Sequence, residues 1–296
     1  MKNLCFLLLL IAFSCARDRN DFIDNDATEG VSLTSPDTEK TMFVWDFSTP
    51  KSYLYDVQME MNMKMVSEGV GPMTDMEFNQ VFELIYNIAA KENGRADIYM
   101  QDFEVIEAPF AGMEDMIEAS LPQEPTLLIS DMDAGGQYDP NAFFSMSGLE
   151  MMGAMSPLPL PTRDLKVGET DTLTVENSMQ QPGINVEGKQ RIFITFAGYD
   201  EYEGKNCAVL VLQFAVDDTS FSIDNQEGGS EEIEMDIDME TGSRFYWDPV
   251  GHYFLGAELL MDGSVGTQGA GGLPQMPENM DIEMDMVQRI KLREIE

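Results

Sequence analysis

Methionine is where this sequence departs furthest from ordinary usage. Of 24 methionines in 296 residues, many stand in tight groups: Met59, Met61, Met63 and Met65; Met146, Met151, Met152 and Met155; Met235 and Met239; Met280, Met284 and Met286. A thioether is soft, polarizable and carried on a flexible chain, so a cluster of them has three uses. It can fill an irregular core, line a cavity that adapts to apolar ligands, or hold Cu(I). Met-x-Met on a strand sets two sulfurs on one face about 7 Å apart. Copper-binding methionines favour flexible or exposed segments, whereas these fall on the apolar side of alternating strands. The chemistry expected of them is therefore an apolar lining, with a closed core as the rival reading and Cu(I) third.

The remaining chemistry-bearing residues are mostly acidic. Asp and Glu number 54 against 17 Lys and Arg, a formal charge of −37, which makes nucleic acids and anionic lipid headgroups poor partners. Glu232, Glu234, Asp236 and Asp238, and again Asp281, Glu283 and Asp285, alternate with the apolar residues of their segments. If those two segments pair, like charges face each other, and weak divalent cation binding follows. Asp131-Met-Asp133-Ala-Gly135 opens as a calcium loop does, but Ala142 stands where the loop needs its final acid, so a solvated turn is expected. With one histidine, His252, the chain cannot form a His-Glu-x-x-His site, and it contains no Gly-x-Ser-x-Gly elbow. Gly198 to Lys205 is one residue too long for a phosphate loop and is followed by Asn206, so a hairpin turn is the better reading. His252, between Gly251 and Tyr253, is expected at a strand turn. Among so many acids no glycosidase pair stands out. No catalytic residue, resident metal or cofactor is expected, and a binding role is favoured over catalysis.

Lys2 followed by the apolar run Leu4 to Phe13 has the make-up of a secretory signal and is too short to span a bilayer, which takes about 20 residues. Ala12-Phe13-Ser14-Cys15 resembles the lipobox of bacterial lipoproteins, so residues 1–14 are expected to leave and Cys15 to be acylated. Cleavage after Ser14-Cys15-Ala16 is the alternative, and it would remove that cysteine. Residues 15–40, rich in Asp, Asn, Ser and Thr, read as a flexible tether to a membrane in the cell envelope. No later segment has 18 uninterrupted apolar residues. Cys207, within an apolar strand-like run, is expected to be a buried, inert thiol.

Positioning these groups falls to strands. From Tyr53 the chain alternates strictly, with Tyr55, Val57, Met59, Met61, Met63 and Met65 on one face and Asp56, Gln58, Glu60, Asn62 and Lys64 on the other. Phe78–Ile88 and Ala96–Val105 read as a hairpin across Asn93-Gly94. Together they place a first β half at 41–138. A second half, 162–296, has strands at Thr170–Val175, Arg191–Phe196, Cys207–Val216, Glu232–Met239, Arg244–Trp247 after a turn at Thr241-Gly242, Tyr253–Met261 and Met280–Leu292, with a glycine-rich loop over Gly266–Pro277. Between the halves, residues 139–161 read as a helix from Asp139-Pro140 to Met155 and an extended proline linker, Ser156 to Pro161. A shorter helix is expected over Gly112–Ser120. The expected fold is mainly β: about ten antiparallel strands in two similar meander halves, forming a curved sheet, sandwich or half-barrel with one or two short helices.

Pro161-Thr-Arg-Asp-Leu-Lys-Val-Gly-Glu169, Gly242-Ser-Arg-Phe-Tyr-Trp-Asp-Pro-Val-Gly251 and the alternating methionine strands resemble an uncharacterised family of β-rich envelope lipoproteins common in Bacteroidota. The resemblance covers most of residues 50–296 and implies an envelope location and a β-rich fold; it supplies no activity. From the residues themselves, the expected role is non-catalytic binding of an apolar ligand or lipid. Met59, Met61, Met63 and Met65 would line the cavity, and Phe143, Phe144 and Met152 would stand near its entrance. The alternative is a structural or interaction lipoprotein with a closed methionine core and an acidic surface; Cu(I) or Ca²⁺ binding is third.

Overall fold

Period-two sequence patterns need a sheet with one covered face, and such a sheet is what forms. The computed structural model describes residues 40–68, 76–107, 125–138, 160–181, 184–224, 230–268 and 279–296. Ten strands run through them: β1 (Lys51–Glu68), β2 (Met76–Ala90), β3 (Ala96–Glu107), β4 (Thr126–Met132), β5 (Thr170–Gln181), β6 (Ile184–Tyr202), β7 (Lys205–Asp224), β8 (Ser230–Asp248), β9 (Tyr253–Gln268) and β10 (Asn279–Ile295). All belong to one antiparallel sheet in the order β4-β3-β2-β1-β10-β9-β8-β7-β6-β5. The first meander, β1–β4, runs from the middle of the sheet to one edge. The second, β5–β10, runs from the other edge back to the middle, where β10 pairs with β1 from Tyr53↔Ile295 to Glu68↔Asn279. No strand ladder joins β4 to β5, so among the described residues the sheet is not closed.

Both edges nevertheless feed one core. Ile98 and Ile129 near one edge and Ile192 and Ile194 near the other share a hydrophobic cluster, which a flat sheet about 43 Å wide could not provide. The sheet therefore curls. Inside the curl lies the segment just before β1, whose Phe43, Trp45 and Phe47 are all buried. Thr41 bridges to Leu165 ahead of β5, the Trp45 N–H donates to the Ala134 carbonyl just past β4 (2.8 Å), and the Asp46 N–H donates to the His252 carbonyl (3.0 Å). Residues 41–46 thus strap the two edges together at one end. Trp45 packs edge-on against Tyr53, Trp247 and Phe254, and Phe43 against Phe196 and Trp247, at centroid separations of 5.2–6.2 Å. Edge-to-face pairs of this kind contribute about 0.5–1.5 kcal/mol each beyond burial of their area.

Tight turns set the register at this end. In the β2–β3 hairpin Gly94 has φ +73°, its N–H donates to the Lys91 carbonyl (3.1 Å), and the Lys91 N–H donates to the Arg95 carbonyl (2.7 Å). The expected hairpin forms, with the left-handed conformation carried by Gly94 alone. Between β6 and β7 both central residues, Glu203 (φ +51°) and Gly204 (φ +80°), are left-handed, as a type I′ turn requires. That turn is what Gly198–Lys205 encodes. His252 (φ +59°) ends the β8–β9 turn, where its N–H donates to the Asp248 carbonyl (2.9 Å).

The structure corrects the sequence reading in several places. Glu232–Met239 and Arg244–Trp247 are one strand, β8; Thr241 and Gly242 continue the ladder opposite Met261 and Leu260 and make no turn. Residues 126–132 form an edge strand that alternation does not reveal. The two discrepancies offset each other in the strand count. Gly266 to Gln268 belong to β9, and the rest of the expected glycine-rich loop, from residue 269 to Pro277, lies outside the described residues. The two acidic segments do not pair, because β9 lies between β8 and β10. The expected helices at 112–120 and 139–155, the proline run up to Pro159, the signal, Cys15 and the tether to residue 39 lie outside the described residues.

Candidate functional site

Moving along β1 away from the strap, the inner face changes from aromatic rings to thioethers. Alternation directs Tyr53, Tyr55 and Val57, and then Met59, Met61 and Met63, to the same side, and all six are buried. The register sets Met61 directly opposite Met286, and Met63 opposite Met284, on β10. These five methionine side chains retain only 1–5% exposure. The core cluster contains the rings of the strap and their neighbours and extends to Val57 and Ile290, but it takes in none of the five. The inner face thus has two zones, an aromatic one and a methionine one. Of the four predicted β1 lining residues, Met59, Met61 and Met63 stand on one buried face. Met65 continues the ladder opposite Ile282, while its side chain is not described; Phe143, Phe144 and Met152 lie outside the described residues.

Where the zones meet, the inner face holds polar groups. Gln80, Ser243 and Gln288 are the buried polar residues among those described, and all three fall in two adjacent rows of the sheet. Phe82, Met59, Gln288, Leu259 and Ser243 form one row, and Gln80, Met61, Met286 and Met261 form the next. Gln288 has 0% exposure, and neither its Nε2 nor its Oε1 has a hydrogen-bond partner. Sequence reasoning passed over this residue. The signal was its parity: Met284, Met286, Gln288 and Ile290 share one face, and Gln288 is the polar member.

Other chemistry-bearing residues occupy structural positions. Cys207 is fully buried with Ala197, Val209, Val211 and Leu255, and that burial pushes its thiol up to about 11, so it stays protonated and unreactive. Asp133 closes the turn foreseen at 131–135 by accepting the Gln137 N–H on Oδ1 (2.9 Å), and Asp131 is exposed and pairs with Lys91. Asp171 accepts from the Thr162 N–H and hydroxyl (2.7 and 2.8 Å) and faces Arg163, which locks the Pro161–Glu169 segment onto the start of β5. On the outer face Asp262 stands between Glu240 and Asp285. Desolvation and then the neighbouring Asp262 raise the Asp285 carboxyl above its ordinary range. Among the described residues no three His, Cys, Asp or Glu side chains come together to hold a metal ion, and no helix is long and apolar enough to cross a membrane.

No family model matches the sequence, and no curated protein matches it. Among solved structures, the chain is similar to Pseudomonas aeruginosa OccK9 (OpdG), with 8% identity over 81% of this chain and 98% of that one and a TM-score of 0.24. It is also similar to a loop-deletion mutant of OmpT, an outer membrane protein of Vibrio cholerae, with 6% identity over 81% and 99% of the two chains and a TM-score of 0.12. Scores this low do not align strand with strand, so neither structure bears on what this chain binds.

Proposed function

We propose that this chain is an envelope lipoprotein, anchored through an acylated Cys15, whose curled sheet holds an apolar ligand or lipid against the methionine zone of its inner face. The observation that carries the binding role is the wall formed by Met59, Met61, Met63, Met284 and Met286, buried side by side on two paired strands and separate from the aromatic core. Unbranched thioethers adjust their shape at low cost, which suits a lining that opens around a flexible guest better than a rigid core does. The lipobox-like Ser14-Cys15 step and the polar stretch behind it support the anchor. Two acyl chains hold a folded domain on a bilayer stably, at about 0.8 kcal/mol per buried CH₂.

Two experiments test the halves of this reading. Cells expressing the chain and fed radiolabelled palmitate should label it, and Cys15→Ser should abolish the label; equal labelling of both would remove the anchor. The full chain carrying Cys15→Ser, purified without detergent so that no acyl anchor competes for the site, should enhance the fluorescence of N-phenyl-1-naphthylamine saturably. Absence of saturable enhancement would favour the closed-core structural lipoprotein.

A further inference from the structure

The binding reading leaves open how a ligand would be oriented, and Gln288 supplies an answer that rests on that reading. A primary amide offers two donors and an acceptor, and the Gln288 amide is wholly buried with none of them used. An unpaired buried amide opposes folding, and a polar partner from outside the chain would relieve that cost. Its surroundings define that partner. Across the register stand Met59 and Leu259; Ile290 and Met286 flank it along β10 on the same face. Gln80 and Ser243 are the other buried polar residues, and no charged side chain is buried among the described residues. The indole N–H groups of Trp45 and Trp247 also lack acceptors, but their rings pack edge-to-face with one another and with Phe254, a setting in which an N–H can rest against a π face.

We infer that Gln288 anchors the head of an uncharged amphiphile, one bearing a hydroxyl or carboxamide that both donates and accepts, while its chain lies along the methionine wall. A charged head is disfavoured because no charged side chain buried among the described residues would balance it, and the strongly acidic chain adds a further penalty for an anionic head. A pure hydrocarbon would leave the amide unpaired. Apolar wall and single polar anchor together make a site that selects by head group and tolerates variation in the tail.

The test uses the Cys15→Ser chain, N-phenyl-1-naphthylamine as the apolar probe, and 1-dodecanol and dodecanoate as competitors at alkaline pH, where the acid is ionised. Dodecanol should displace the probe at much lower concentration than dodecanoate. Gln288→Met, which matches the neighbouring side chains in length, should weaken dodecanol roughly tenfold more than it weakens the probe. The same variant should raise the melting temperature of the ligand-free chain, because the unpaired amide is gone. If dodecanoate competes as well as dodecanol, or if Gln288→Met lowers the melting temperature and leaves dodecanol unaffected, the anchor is overturned while the apolar site stands. If the parent chain takes up neither probe nor alcohol, the binding reading falls and the anchor falls with it.

Discussion

The two zones of the inner face sit on the same strands and are buried to the same degree, yet they are built in different ways. At the strap, Phe43, Trp45, Tyr53, Trp247 and Phe254 interlock edge to face, and backbone hydrogen bonds from residues 41–46 tie both sheet edges together over them. Further along β1 and β10, flexible thioethers meet across the seam, and the buried amide of Gln288 has no partner. Rigid rings fix one geometry, whereas methionines permit several. Burial alone therefore does not separate a core from a binding surface. Side-chain flexibility and the state of the buried polar groups do.

Trp247→Ala should have the largest effect on the aromatic zone. Removing a fully buried indole that touches Phe43, Trp45 and Phe254 should cost about 3–5 kcal/mol, read as a large fall in the urea midpoint. Next comes Met61→Asp. If the methionine zone opens around a ligand, this chain should keep the near-ultraviolet dichroism of Trp45 and Trp247 and lose probe binding at least about tenfold, because a carboxylate in an apolar lining repels an apolar guest. Loss of the dichroism along with the binding would show that the two zones are one closed core. The volume-conserving Met61→Leu should cost less than about 1.5 kcal/mol.

Smaller effects sharpen the picture at the turns and on the outer face. Gly94→Ala places a Cβ at φ +73° with no clash, so it should cost only the left-handed backbone penalty, about 1–2 kcal/mol, measured by denaturation. Asp285→Asn should stabilise the chain slightly at neutral pH. The folded-state pKa of Asp285 lies above its ordinary 3.8, so the ionised carboxylate opposes folding above that folded pKa. The penalty disappears as falling pH protonates the group, and melting curves of the two proteins should converge there. Asp46 has the opposite sign: Lys51 and then Ser48 lower it to about 2. Its contribution should be complete above the ordinary carboxylate value of 3.8 and lost as pH falls through about 2.

Much of this arrangement was legible in the sequence. β1 and β10 announce themselves because every second residue is apolar from Tyr53 to Met65 and, Gln288 apart, from Met280 to Leu292, and the pairing of Met61 with Met286 follows once they are neighbours. Their neighbourhood itself was not legible, since it joins strands from opposite ends of the folded region. β4 escaped because Leu128 and Ile129 are both buried in succession, and the β3–β4 register shifts beside them, so period two is lost. β8 looked like two strands because Thr241-Gly242 has turn composition; the odd-numbered Met239, Ser243, Phe245 and Trp247 keep one parity through it, a sign that the strand continues. Phe43, Trp45 and Phe47 alternate as a strand does but form a strap, a role that depends on sheet edges distant in sequence. Gln288 was visible as an exception to parity, and only its burial without a partner gives that exception meaning.

Native mass spectrometry decides whether the methionine zone holds a guest. The Cys15→Ser chain, purified from its expressing cells without detergent and also exposed to Cu(I), should carry a lipid-sized adduct that Met61→Asp removes. A bare polypeptide mass under both conditions, or a copper adduct in place of the lipid, would mean that the methionine zone holds no apolar guest.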